Sequence, residues 1–259
     1  MGKIDDPIEA SFGAWPAEST DMGQKAGELA LTFSGLVFTP AKIAKILKDQ
    51  FASPNRFARI EYLLNGIRLG IKNLETEKAT DRARLKSVEE KLSTPQFSEA
   101  IAVACEEAAR AASERKIGQL AAVLVGSLDH NRWADSNEDI AALIRDVGQL
   151  GEKDLKVLSI LRHVHASAIE ATPNLNNPDA FSRETGTLNT AIGVNGFSRD
   201  DFLSACEHLR GFGFAAEVLR NTSHMAPQDY CYRPTRRGLT VLDYLSQVPR
   251  DAEQRQKTK

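Results

Sequence analysis

The sequence predicts a mainly α protein in two parts: an all-helical N-terminal domain, and a C-terminal domain of helices around one small β ribbon. Three observations carry that prediction. Apolar residues recur at heptad spacing from Phe57 to Leu92. A second run, from Phe97 to Leu128, repeats small and apolar residues at helical spacing. After Gly151 short helical runs alternate with glycine-bearing turns and two short segments of strand character. The 259 residues are 42% hydrophobic and 26% charged, which leaves room for one large core or two smaller ones. A net charge of −2 argues against a chain that is basic overall and coats nucleic acid, and against an acidic solvating tail.

The first twenty residues are rich in Asp, Pro, Gly, Ser and Ala without periodicity and are expected to be disordered. They show no signal-peptide core. Met1-Gly2-Lys3 opens like a myristoylation site, but Asp6 stands where Ser or Thr is needed. The longest apolar-leaning stretch, 29–40, is too short to span a bilayer. Cys105, Cys206 and Cys231 are an odd count without CxxC spacing, so a reducing, cytoplasmic setting is expected. Residues 23–38 fit either a short helix or a strand. Thr39-Pro40 then reads as a helix start whose Lys42, Lys45 and Lys48 form a solvated face.

Ser53-Pro54 opens the most regular segment. Phe57, Ile60, Leu64, Ile67, Ile71, Leu74, Leu85, Val88 and Leu92 keep one heptad register, interrupted only by Lys78 and Asp81. Continuous from Asn55 to Leu92, the helix would be about 57 Å long at 1.5 Å per residue. It must lie along a partner helix, from this chain or another, which makes it an oligomerisation seam in the second case; a turn in the charged stretch 74–82 would instead fold the segment into a hairpin. Gly66 and Gly70 form a GxxxG pair, but Arg68 and Lys72 rule out a membrane role. Ser93 and Gln96 are spaced as a capping box for the next helix. That helix carries a stripe of Phe97, Ile101, Ala104, Cys105, Ala108 and Ala112. Ser113-Glu114 breaks or kinks it, residues 126–136 are turn-rich, and 137–148 make one more helix. Residues 90–165 resemble uncharacterised bacterial helical proteins loosely grouped with abortive-infection alpha proteins, a resemblance of pattern that assigns no chemistry.

From Gly151 the order is a helix from Glu152, a loop, a short helix ending at Gly193, and a longer helix capped by Ser198. Gly211 and Gly213 are expected to end that helix. Strands 214–219 and 230–233 flank a polar tip. Thr235 caps a last helix bearing Leu239, Leu242 and Leu245. This order, and the run Tyr232-Arg233-Pro234-Thr235-Arg236-Arg237-Gly238 followed by Leu242 and Leu245, resembles the ending of many bacterial winged helix-turn-helix regulators. Pro234 stands where Leu is usual, so the second wing strand should end there. The expected division is a tail over 1–20, a helical domain over 21–150, a winged helix over 151–248 and a tail over 249–259.

The resemblance implies that 198–210 is a recognition helix and 220–233 a wing. Its candidate DNA-binding residues are Arg199, Ser204, Arg220, Arg233, Arg236 and Arg237. Against it, Asp200 and Asp201 sit where a recognition helix meets DNA. From Gly151 to Lys259 there are 14 Lys and Arg against 13 Asp and Glu, not the usual basic balance. No GxSxG, HExxH or GK[ST] motif occurs. His163 and His165 are two apart, and Cys206, His208, His224 and Cys231 lack zinc spacing. No catalytic residue, metal or cofactor is therefore expected. The expectation is a non-enzymatic DNA-binding or regulatory protein whose helical domain holds a second copy or a protein partner. The alternative is a protein–protein adaptor, such as one of a defence or phage system, whose winged helix does not bind double-stranded DNA.

Overall fold

Burial of the heptad seam organises the first half of the chain. The computed structural model describes residues 54–77, 82–128, 139–171, 178–218 and 231–246. They form nine helices and one two-stranded antiparallel sheet. The tails, the segment 23–48, residues 78–81 of the heptad run, most of the turn at 126–136 and the polar wing tip lie outside the described residues. The chain divides into two compact units. One holds the described residues from Leu150 to Asp243, and the other holds those up to Gln149 together with 244–246. Among the described residues no helix is long and apolar enough to cross a membrane.

The helical unit contains α1 (Pro54–Glu77), α2 (Arg82–Leu92), α3 (Pro95–Arg110), α4 (Glu114–Ser127) and α5 (Ile140–Gln149). Helix α1 packs on α4 and α3, α3 packs on α5 and α4, and α2 leans on α3. Phe57, Ile60, Leu64, Ile67, Ile71, Leu74, Val88 and Leu92 are all buried, whereas the side chain of Leu85 lies outside the described residues. The seam of α1 is thus covered by helices of its own chain.

The helix boundaries follow from capping. Thr94, not Ser93, is the α3 N-cap: its Oγ1 accepts the Phe97 N–H at 3.2 Å and Pro95 follows it. The hydroxyl of Ser93 instead donates back to the Glu90 carbonyl at 3.0 Å, so the expected Ser93–Gln96 box is not made. Ser113 caps α4 by accepting the Lys116 N–H at 3.3 Å, which makes 111–113 a true break. Ala112, expected on the small-residue stripe, falls in that break and is exposed. Arg59 donates to the Ala109 carbonyl at 3.2 Å and so satisfies the end of α3 from α1.

Gly70 has a packing role. A Cβ there would come within 2.6 Å of Val125 Cγ2 on α4. The second glycine of the GxxxG pair thus serves the close approach of α1 to α4. Gly70→Ala should destabilise this unit by about 1–3 kcal/mol through overpacking. Adding Val125→Ala should relieve part of that loss, and thermal melts of the three variants would measure both effects.

The second unit contains α6 (Glu152–Ala171), α7 (Pro178–Val194), α8 (Arg199–Gly211), β1 (Ala215–Val218), β2 (Cys231–Pro234) and most of α9 (Arg236–Ser246). Helices α7 and α8 pack on α6, as does β2, while β1 lies against α8. The strands pair with Ala215 opposite Pro234 and Val218 opposite Cys231, so Pro234 does end its strand. Leu155, Leu158, Leu161, Leu188, Phe202, Leu209, Phe214 and Leu242 form the core, and Val218 is only half-buried.

Two glycines set the turns. Helix α7 ends when Gly196 enters the left-handed region (φ 74°). The Phe197 N–H then reaches the Ile192 carbonyl, and the Gly196 N–H reaches that of Gly193, each at 3.1 Å. This is a Schellman stop. The pattern repeats at Gly213 (φ 73°), where the N–H groups of Phe214 and Gly213 reach the carbonyls of Leu209 and Arg210, both at 2.9 Å. Gly211, expected to share that role, is the last residue of α8.

Thr235 caps α9, its Oγ1 accepting the Gly238 N–H at 3.1 Å while its own hydroxyl donates to the Gly213 carbonyl at 2.6 Å. The glycine of the quoted run has a physical reason. A Cβ on Gly238 would overlap the Phe214 carbonyl oxygen and stand 3.1 Å from Leu158 Cδ1. Backbone gives way less readily than a side-chain end. Gly238→Ala should therefore cost about 2–3 kcal/mol, the upper part of the range for overpacking. Faster hydrogen exchange of α9 and β1 amides would show it.

Candidate nucleic-acid interface

Of the five described candidate residues, Arg199, Ser204 and Arg236 are exposed, while Arg233 and Arg237 have partners within the chain. Arg199 is exposed in the first turn of α8, beside Asp200 and Asp201. Ser204 is exposed one turn further along, and Arg236 is exposed in the first turn of α9. Arg220 lies outside the described residues.

Arg233 faces inward. Its Nε lies 3.0 Å and 3.1 Å from the two carboxylate oxygens of Glu184 on α7, and its Nη2 donates to the same group. Glu184 is 1% exposed, and the Arg233 side chain 20%. His165 of α6 completes the cluster, with Nδ1 3.3 Å from Glu184 Oε1. Burial pushes the Glu184 carboxyl up, but hydrogen bonds from His165 and Arg233 outweigh it and hold the group below the ordinary glutamate value. The guanidinium that the sequence offers as a phosphate contact is here engaged by a buried carboxylate.

Arg237 is also committed internally. Its Nη1 donates to the Phe212 carbonyl, and its guanidinium stands 4.7 Å from the Phe214 ring centroid. It braces the turn between α8 and β1, where the sequence offers it as a second phosphate contact.

Four more described cations of this unit have partners, three of them in exposed or half-exposed surface pairs that hold the charge only weakly. Lys153 pairs with Asp201 at 3.6 Å, Arg162 with Asp243 at 2.8 Å, and Arg210 with Glu207 at 2.7 Å. Lys156 donates to the Asn195 carbonyl at 3.3 Å and lies over the Phe197 ring.

The start of α8 is acidic by construction. Ser198 Oγ accepts the Asp201 N–H at 3.1 Å and donates to Asp201 Oδ2 at 2.6 Å. Asp201 is held below the ordinary aspartate value, first by that hydroxyl and then by Lys153. Negative charge at a helix N-terminus is stabilising. These acids therefore suit the helix and oppose an approaching phosphate.

Two further polar contacts tie the unit together. Asp154 accepts the Gly151 N–H at 2.7 Å and stands 2.9 Å from His208 Nδ1, joining α6 to α8. The Tyr232 hydroxyl donates to Glu207, which joins β2 to α8. Burial and then Glu207 push the Tyr232 phenol above its usual range, while the same hydrogen bond draws Glu207 down. Among the described residues no three His, Cys, Asp or Glu side chains stand together as metal ligands. Cys206 is buried, and Cys105 is a buried thiol that burial, with Glu106, pushes up to about 12, far from thiolate chemistry.

The sequence reading passed over Glu184. Its signal was its place four residues before Leu188 and seven before Ala191, on a stripe that turned out to be buried. A carboxylate on such a stripe requires a cationic partner. Comparison with protein-family models, with characterised proteins and with solved structures finds no match to this chain.

Proposed function

We propose that the chain is a non-enzymatic interaction protein whose C-terminal unit is a winged helix acting through protein contacts rather than on DNA. The observation that carries this reading is the commitment of Arg233 to buried Glu184, joined by that of Arg237 to the Phe212 carbonyl. Winged-helix binding to DNA rests on phosphate contacts from cations of the wing and its neighbours. Here two of the strongest expected cations hold the fold, and the helix that would enter the groove begins with two carboxylates.

The charge balance supports the same reading. Between Leu150 and Asp243 ten Lys and Arg stand against eleven Asp and Glu. The order of the elements, with α8 preceding a β ribbon and α9 following it, supports the winged-helix part. Fold alone does not fix use, and such a module serves protein contacts equally well.

The test is fluorescence anisotropy of the full chain on random-sequence duplex DNA at low salt, where non-specific contacts are strongest. No binding is expected. Binding with a steep salt dependence would overturn the proposal. In that event Arg199→Glu with Arg236→Glu should flatten the slope of log K against log salt by about two, because each lost phosphate contact removes about 0.9.

A further inference from the structure

We draw no further inference here: the strongest candidate, the cavity of about 310 Å³ lined by Lys91, Thr94, Gln96, Phe97, Ser127 and Leu128 at the N-terminus of α3, carries nothing, because Lys91, Thr94 and Ser127 are each already hydrogen-bonded within the chain and nothing in the structure shows what would occupy it.

Discussion

Arg233→Met should destabilise the C-terminal unit by about 3 kcal/mol, the low end of the range for breaking a buried ion pair by removing one partner. Methionine keeps most of the apolar stem, so the loss is electrostatic. Glu184, 1% exposed, would be left with His165 alone. The low end applies because the Arg233 side chain retains 20% exposure. Amide exchange in α6, α7 and β2 should accelerate by roughly a hundredfold, since each 1.4 kcal/mol is tenfold. Arg233→Met with Glu184→Leu should recover most of the loss, because a well-packed apolar pair often replaces a buried ion pair at little cost. An exposed surface arginine would behave differently. Its removal would change stability by less than about 0.5 kcal/mol, and that result would return Arg233 to the list of possible phosphate contacts.

The same cluster has a signed dependence on pH. The Glu184 carboxyl is lower in the folded chain than its ordinary value of 4.5. A depressed acid contributes stability that is fully present above the unfolded value. That contribution is lost as pH falls through the folded value. Acid should therefore weaken the wild-type unit below about pH 4.5 more steeply than the Glu184→Leu, Arg233→Met pair, which lacks the linked proton. Urea melts followed by exchange at several pH values between neutrality and pH 3 would compare the two.

The element order of the second half was legible because it depends on local signals. Ser198 and Thr235 cap where small hydroxyl residues precede helical runs, Gly213 stops α8, and Pro234 ends its strand. The sequence places the end of α7 at Gly193, and the stop at Gly196 was not legible, because a Schellman motif is recognised by left-handed geometry and not by composition. The seam of α1 was legible because its spacing repeats. Which helices cover it was not, since α4 and α3 are distant in sequence and the heptad pattern is the same within a chain or between chains. The intrachain partners of Arg233 and Arg237 were not legible for a related reason. A sequence gives a cation's identity but not its partner. Glu184 lies 49 residues from Arg233, and the Phe212 carbonyl has no sequence signature.

Ile67→Asp with Ile71→Asp should abolish folding of the helical unit. Ile67 is 0% exposed and Ile71 2%. Each isoleucine loses about 1.5–3 kcal/mol of apolar burial. Each new carboxyl must then either stay charged away from water or bind a proton above its natural pKa, which costs a few kcal/mol more. The two substitutions together reach the whole stability of an ordinary domain, about 5–15 kcal/mol. They also fall beside Gly70, where α1 approaches Val125 of α4 closely. Leu69→Asp is the control on the same helix: Leu69 is 40% exposed, and its replacement should cost only about 1–2 kcal/mol, too little to unfold the unit. Circular dichroism should show lost helix in the double variant and none in the control. Light scattering separates the remaining possibility. A double variant that kept its helical signal and melting temperature while falling from a larger particle to a single chain would place the seam between copies. Loss of helix in a chain whose wild-type mass is already that of one copy would place it within the chain, against α4 and α3.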